Sequence, residues 1–151
     1  MSNPVLIDNA DLDLITATSF VNGDGYLFVR RHGRLVRAHR IIVGRMLGRE
    51  LRADEQVDHI NRNPSDNRRS NLRVCNHSQN MFNRGRNRNN TTGYKGVYRN
   101  SAGARRPWQA RITENGKLQY LGSYNTAEEA ARAYDRAARR LAGEFAQLNN
   151  D

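Results

Sequence analysis

Residues 58–80 contain side chains whose types and spacing could hydrolyse a phosphodiester. Asp58 and His59 are adjacent, and Asn80 follows after a polar loop. The pKa of an imidazole is ordinarily about 6.5, so a neutral His59 could take a proton from water near pH 7. The carboxylate of Asp58 and the amide oxygen of Asn80 are hard donors of the kind that Mg²⁺ prefers. The pattern therefore indicates metal-assisted hydrolysis of a phosphate ester.

Two further side chains near this stretch leave alternatives open. His77 could approach the scissile phosphate, act as an alternative ligand, or simply begin a helix. Arg84 lies four residues after Asn80, so both would share one helix face and Arg84 could touch phosphate. Of the other histidines, we expect His32 to lie in an exposed turn. His39 would open a helix, in a structural role or as a phosphate contact.

The elements that must position these side chains are two strands and a short helix. The pattern predicts strands near residues 56–60 and 72–74, a loop over 61–71 and a helix over 78–84. Neighbouring residues of a strand point to opposite faces, so Asp58 and His59 share one site only if the strand ends or twists there. The polar loop that begins at Asn61 permits this.

Two further segments before residue 84 have clear patterns. Residues 26–30 and 34–38 read as a hairpin around Arg31-His32-Gly33, and residues 39–47 have helical spacing that ends at Gly48. Residues 84–92 are polar, rich in Arg and Asn, and without periodicity, which is typical of a linker. The arginines of this linker could follow phosphates or enter a minor groove.

After the linker, the pattern predicts three strands and one helix. The strands cover residues 95–99, 108–113 and 118–124, and Asn115-Gly116 joins the last two as a tight turn. Thr126 and Glu129 form a capping box for an alanine-rich helix that ends at Gly143. We place Asp135 on the outer face of this helix, paired with an arginine four residues later.

Alternation along these three strands separates the side chains into two sets. Val97, Ala110, Ile112 and Leu121 should face the helix, and Trp108 has the same parity. Tyr98, Gln109, Arg111 and Tyr120 should point outward. An antiparallel sheet can pack one face on its helix and leave the other for a partner.

The composition favours a polyanionic partner. The 151 residues contain 25 Lys plus Arg against 15 Asp plus Glu, for a net charge of +10, and the bases other than Lys95 and Lys117 are arginines. Arginine suits phosphate and guanine edges, so nucleic acid is the expected partner. No apolar run reaches the roughly 20 residues of a membrane span. Cys75 is alone, which excludes a disulfide framework, and a cytoplasmic protein is the default expectation.

The first half resembles the HNH nucleases in their His-Asn-Asn form, over roughly residues 20–84. Asp58-His59, Asn71 and Asn80 match the motif, and residues 38–40 and 66–72 resemble the phage and intron homing-endonuclease branch. The resemblance implies a ββα-metal finger with His59 as general base, Asp58 and Asn80 as metal ligands, and Asn71 as a loop-bracing side chain. Asn80 stands where the family often has histidine, which favours Mg²⁺ or Mn²⁺ over zinc.

Residues 93–149 resemble the DNA-binding domain of plant ethylene-response transcription factors (AP-two/ERF). The matching segments are GYKGVY at 93–98, WQARI at 108–112, LGSY at 121–124 and AARAYD at 130–135. That family lays its sheet in the major groove and often uses the position of Trp108 on DNA. Tyr120 replaces a usual tryptophan and Arg111 a usual acid, so base preference does not carry over.

These observations predict an α+β protein: an acidic segment (1–19), an HNH nuclease domain (20–84), a basic linker (85–92) and a sheet backed by one helix (93–151). We expect a metal-dependent, homing-type DNA endonuclease that uses Mg²⁺, or Mn²⁺, and no small-molecule cofactor. His59, Asn71 and His77 form its predicted catalytic set, and the partner is double-stranded DNA.

The alternatives are a DNA-binding regulator with an inactive nuclease half and a nonspecific nuclease. We expect a monomer, with a dimer as the alternative. The predicted DNA-binding residues are Arg84, Arg86, Arg88, Tyr98, Arg99, Arg105, Arg106, Trp108, Gln109, Arg111 and Tyr120.

Overall fold

The computed structural model describes residues 4–150, and the chain divides into two compact units, residues 1–80 and 81–151. Each unit combines an antiparallel sheet with helices, so the predicted α+β class is confirmed at this level. None of the helices within residues 4–150 has the length and apolar character needed to cross a membrane.

The first unit begins with a three-stranded sheet and a helix. Strands β1 (Phe20–Val21), β2 (Leu27–Arg31) and β3 (Arg34–Arg37) pair antiparallel in that order. His32 and Gly33 join β2 to β3 with φ of +48° and +76°, as a two-residue hairpin of type I′ requires. The predicted hairpin is therefore confirmed.

Helix α1 (Ala38–Leu47) packs on this sheet and ends at Gly48, as predicted. Gly48 has φ of +65°, the left-handed conformation that commonly ends a helix. Ile42 is fully buried, and it shares a core with Val29 of β2 and with Leu72, which follows later in the chain.

Two further strands and a short helix complete the order predicted for residues 56–84. Strands β4 (Gln56–His59) and β5 (Leu72–Cys75) pair antiparallel, and α2 (His77–Asn83) follows. Val57 of β4 and Leu72 of β5 join the core beneath α1. One face of this strand pair thus contributes Val57 and Leu72 to the core, and the opposite face carries the polar side chains of Gln56, Asp58 and Arg73.

The acidic N-terminal segment lies against the first unit. Leu6 forms an isolated parallel bridge with Asp66, and a 3-10 helix follows at Asn9–Leu14. Asp11 is completely buried and accepts hydrogen bonds from both Arg45 and Arg69 at 2.7–3.1 Å. The hydrogen bond from Arg69 is the main cause that lowers the pKa of Asp11. The aspartates of this segment thus bind arginines that are distant in sequence.

The second unit is a three-stranded antiparallel sheet packed on one long helix. Its strands are β6 (Val97–Arg99), β7 (Trp108–Glu114) and β8 (Lys117–Tyr124), paired in that order, with a bulge beside Ala110 and Arg111. Helix α3 (Ala127–Ala142) begins at Thr126 with both hydrogen bonds of a capping box. The predicted elements of this half are confirmed.

Small residues let α3 lie close to the sheet. Val97, Ala110 and Ile112 are at most 2% exposed, as their inward parity predicts. A Cβ on Gly96 would lie 2.0 Å from a ring carbon of Tyr134, and Gly96 has φ of +71°. Glycine is therefore required at this close approach.

The predicted outward position of Asp135 is wrong. Its side chain is buried, and it accepts hydrogen bonds from the backbone and side chains of Asn149 and Asn150 at 2.8–3.2 Å. The C-terminal segment returns to α3 and covers this carboxylate, which a pattern within the helix alone does not reveal.

Candidate active site

The carboxylate of Asp58 is held by an arginine on the neighbouring strand. Asp58 of β4 stands opposite Arg73 of β5 in the antiparallel register, so both side chains lie on the same face. Arg73 Nε and Nη2 each lie 2.9 Å from Asp58 Oδ2. Asp58 is 5% exposed, so this pair balances a carboxylate charge that is nearly buried.

Asn80 and His77 contact a second residue of β4. Asn80 Nδ2 donates to Gln56 Oε1 at 2.8 Å, and Gln56 Nε2 lies 3.4 Å from His77 Nδ1. Gln56 and Asp58 are two residues apart on one strand, so their side chains leave the same face of β4. The structure therefore brings Asn80 and His77 to the face that carries Asp58.

His59 is the last residue of β4 and lies among aromatic rings. Its ring is perpendicular to that of His39, with centroids 5.0 Å apart and an interplanar angle of 88°. Tyr26 packs edge-on to both imidazoles. Because Val57 and His59 share the other face of β4, His59 lies on the side of α1. His59 is still paired with Leu72 in β4, so its side chain leaves the strand on the face opposite to Asp58. A site shared by Asp58 and His59 therefore stays a prediction.

Burial sets the protonation of the two histidines. It lowers the pKa of His59 below its ordinary 6.5, against the opposing effects of a hydrogen bond with Asn67 and the charges of Asp58 and Asp66. The same cause, with the nearby His59, lowers the pKa of His39 to about 3. Both imidazoles are therefore neutral at pH 7, the form in which an imidazole can accept a proton.

The loop between β4 and β5 is closed by the side chain of Asn71. Its Oδ1 accepts from the backbone N–H of Asn61 at 3.0 Å, and its Nδ2 donates to the backbone oxygen of Asp66 at 2.8 Å. Asn61 Nδ2 in turn donates to Asp66 Oδ2 at 2.8 Å. Asn71 thus holds the segment that follows His59 in one conformation.

The donor set fits a hard divalent cation. A carboxylate from Asp58 and an amide oxygen from Asn80 are of the type that Mg²⁺ and Mn²⁺ bind, and Mg²⁺ usually takes only one or two protein ligands. Among residues 4–150, no group of three or more His, Cys, Asp or Glu is placed to hold a metal ion. A site with two protein ligands does not need such a group.

Gln56 and Arg73 are the site residues that the sequence analysis missed. Gln56 lies two residues before Asp58, so strand alternation puts both on one face. Arg73 stands opposite Asp58 only in one register of β4 and β5. Periodicity could have found Gln56, whereas Arg73 depended on knowing the pairing.

All the predicted DNA-binding residues belong to the second unit, and several contact one another there. Arg111 lies over the ring of Tyr98 at 5.5 Å, and its Nε donates to Gln109 Oε1 at 2.9 Å. Gln109 shares the outward face of the sheet with Arg111, as its parity predicts, but is only 8% exposed. The neighbouring guanidinium of Arg111 lies against its amide.

Trp108 is a partly buried member of the core under α3. Arg99 lies over its indole ring at 5.2 Å. Tyr98 and Tyr120 are 47% and 62% exposed, so their rings remain accessible on this unit. Arg86, in the segment predicted as a linker, donates to the backbone oxygen of Gly93 within the second unit.

The chain is similar to two kinds of known protein. Residues 36–82 match the family model described as HNH endonuclease. The chain is 33% identical over 111 residues to an uncharacterised HNH endonuclease of Acanthamoeba polyphaga mimivirus, which covers 74% of this chain and 56% of that protein. No solved structure matches the chain.

The plant relatives are transcription factors. The chain is 48% identical over 61 residues to an ethylene-responsive transcription factor of Arabidopsis thaliana, which covers 39% of this chain and 23% of that protein. It is 38% identical over 85 residues to another from Medicago truncatula, which covers 55% of this chain and 31% of that protein. The chain therefore spans just over half of the viral relative and less than a third of these plant relatives.

Both resemblances found in the sequence are thus confirmed. Asp58, His59, Asn71 and Asn80 all lie within the segment that matches the HNH endonuclease model. Residues 36–82 of this chain match the HNH endonuclease family model, and its C-terminal part is similar to AP-two/ERF transcription factors.

Proposed function

We propose that this protein is a metal-dependent, homing-type HNH endonuclease that cuts double-stranded DNA. The observation that carries the proposal is the arrangement of three residues within the segment that matches the HNH family model. Asp58 and Gln56 share one face of β4, and Asn80 of α2 donates a hydrogen bond to Gln56. We assign residues 20–84 to the nuclease domain, 85–92 to the linker and 93–151 to the DNA-recognition domain.

In this mechanism His59 is the general base. Its buried, neutral imidazole takes a proton from the water that attacks the phosphate, and the products carry a 5′-phosphate and a 3′-hydroxyl. Asp58 and Asn80 would hold Mg²⁺ or Mn²⁺. When bound, such a cation offsets the negative charge that builds on the phosphate and on the leaving oxygen. Asn71 keeps the segment after His59 in place, and His77 lies next to the scissile phosphate.

The C-terminal sheet would select or strengthen the DNA site. Tyr98, Tyr120 and Arg111 supply an accessible aromatic and cationic surface, and the linker arginines would follow the phosphates. If binding rests on about 6–10 phosphate contacts, raising salt from 50 to 200 mM should weaken it about 10³–10⁵-fold.

Incubation of supercoiled plasmid with the full chain tests the proposal. With Mg²⁺ the plasmid should become nicked or linear, and EDTA should stop the reaction. Binding to DNA without cleavage in Mg²⁺ or Mn²⁺ would instead support a DNA-binding regulator with an inactive nuclease half. Mapping of the cuts on natural DNA separates a homing-type enzyme, with few preferred sites, from a nonspecific nuclease.

A further inference from the structure

Gln56 connects two residues of the proposed site. It is the first residue of β4, is partly exposed, and shares a strand face with Asp58. Its Oε1 accepts from Asn80 Nδ2 at 2.8 Å, and its Nε2 lies 3.4 Å from His77 Nδ1. Both ends of the Gln56 amide are therefore engaged by residues of α2.

These contacts fix the order of donors and acceptors along Asn80, Gln56 and His77. An amide has a donor end and an acceptor end, so a Gln56 that gives its N–H to His77 must offer its oxygen to Asn80. Asn80 then uses its nitrogen on Gln56, and its carbonyl oxygen lies on the opposite side of the amide. If Gln56 instead offered its nitrogen to Asn80, Asn80 would have to accept with its oxygen, and its NH₂ group would lie on the opposite side.

This order matters because only one end of Asn80 can bind a cation. The carbonyl oxygen is a hard donor for Mg²⁺ or Mn²⁺, whereas the NH₂ group has no lone pair to offer. The terminal torsion of asparagine is broad and roughly two-fold, so packing alone does not choose between the two ends. A hydrogen-bond partner with a fixed polarity is needed to make this choice.

We propose that Gln56 is a positioning residue that turns the carbonyl oxygen of Asn80 toward the metal. This inference rests on the proposed function, because it assumes that Asn80 is a ligand. The side chain of Gln56 itself binds neither metal nor DNA. It acts by engaging the nitrogen of the Asn80 amide.

The affinity of the full chain for Mn²⁺ in the absence of DNA, measured by electron paramagnetic resonance, tests this role without relying on activity. Gln56→Met has a similar size but no acceptor, and it should weaken binding about 10–100-fold, as is usual for residues that orient metal ligands. Gln56→Glu keeps an acceptor oxygen for Asn80 and should retain at least wild-type affinity. Gln119→Met, a glutamine substitution in the second unit, is the matched control and should change nothing.

A double-mutant cycle with Asn80→Asp separates orientation from a merely structural effect. Both ends of a carboxylate are oxygens, so its rotation does not remove the ligand. Gln56→Met should therefore cost Mn²⁺ affinity in the Asn80 protein and almost none in the Asn80→Asp protein. An equal loss in both backgrounds would overturn the proposal, as would wild-type affinity in Gln56→Met.

Thermal unfolding of each variant checks the fold. If Gln56→Met does not unfold cooperatively, Gln56→Thr replaces it, because threonine favours strands and is too short to reach Asn80. Failure of the wild-type chain to bind Mn²⁺ would refute the proposed metal site and the role of Gln56 together. Normal Mn²⁺ binding and DNA cleavage by Gln56→Met would refute the role of Gln56 alone.

Discussion

The two units of this protein bury different kinds of side chain. Among residues 4–150, the first unit contains most of the buried polar groups, including Asp11, His39, Asp58, His59 and Asp66. The second unit is built mainly on the alanines of α3 packed against a small sheet. Burying a polar group costs free energy unless the group is paired. The stability of the first unit therefore depends on hydrogen bonds and ion pairs among its buried donors and acceptors.

This difference separates a unit that buries many polar groups from a unit whose buried groups mainly pack a helix on a sheet. In the second unit, close packing on α3 stabilises a surface whose exposed side chains can serve recognition. In the first unit, the hydrogen bonds that stabilise the fold also orient the side chains of the proposed site, as Arg73 does for Asp58. Substitutions of these polar residues in the first unit should therefore affect cleavage, whereas substitutions in the core of the second unit should affect mainly stability.

The largest expected effect is on cleavage, from the first unit. His59→Ala removes the proposed base and should lower the cleavage rate about 10²–10⁴-fold, the usual contribution of general acid–base catalysis. DNA affinity, measured by fluorescence anisotropy, should stay close to that of the wild type. His32→Ala, in the exposed turn between β2 and β3, is the control. Full cleavage by His59→Ala would remove His59 from the mechanism.

The next effect is on the stability of the second unit. Gly96→Ala places a Cβ against Tyr134 at a position with φ of +71°. Strain and overpacking together should lower the free energy of unfolding by about 3 kcal/mol. Trp108, the single tryptophan of the chain, reports on this unit by fluorescence during urea unfolding. Gly103→Ala is the control, since no atom lies within 4 Å of its Cβ although its φ is also positive. Equal stability of the two variants would show that the contact with Tyr134 is unimportant.

A smaller loss is expected where the N-terminal segment meets the first unit. Asp11→Asn leaves Arg45 and Arg69 without their shared buried carboxylate, and should cost about 1–3 kcal/mol of unfolding free energy. Asp13→Asn is the matched control and should have a much smaller effect, because the Asp13 side chain is 61% exposed. Similar losses in both variants would mean that burial of Asp11 adds nothing.

An effect of similar size is a dependence on pH that we expect in the first unit. The pKa of His39 falls to about 3 on folding, so the unfolded chain takes up a proton below pH 6.5 and the folded chain does not. Stability should therefore fall as the pH drops from 6.5 toward 4.5, by up to about 1.4 kcal/mol per pH unit for this histidine.

Hydrogen exchange measured on each unit checks this pH dependence. All four histidines lie in residues 1–80, so the second unit should keep a constant stability over the same range. His39→Asn should reduce the slope of the first unit. A slope that His39→Asn leaves unchanged would mean that another group is responsible.

Local patterns predicted the elements well because short-range chemistry determines them. The hairpin turns at His32-Gly33 and Asn115-Gly116, the left-handed Gly48 and the capping box at Thr126 each depend on residues close in sequence. The types of the site residues were equally visible, since carboxylate, imidazole and amide are recognisable by their chemistry.

The contacts that a sequence pattern could not predict join residues that are distant in the chain. Asp11 meets Arg69 across 58 positions, and Asp135 is covered by Asn149 and Asn150. Arg73 reaches Asp58 only through the register of β4 and β5. Such pairs depend on tertiary packing, which no local periodicity encodes.

The most direct test of the central claim is the single-turnover rate of duplex cleavage as a function of Mg²⁺ concentration, for the wild type and for Asp58→Asn. The wild-type rate should rise with Mg²⁺ to a plateau and vanish in EDTA. Asp58→Asn, which replaces a charged ligand by a neutral one, should need far more Mg²⁺ or lose cleavage while still binding DNA. Equal rates for the two proteins, or cleavage that persists in EDTA, would contradict a metal-dependent nuclease centred on Asp58.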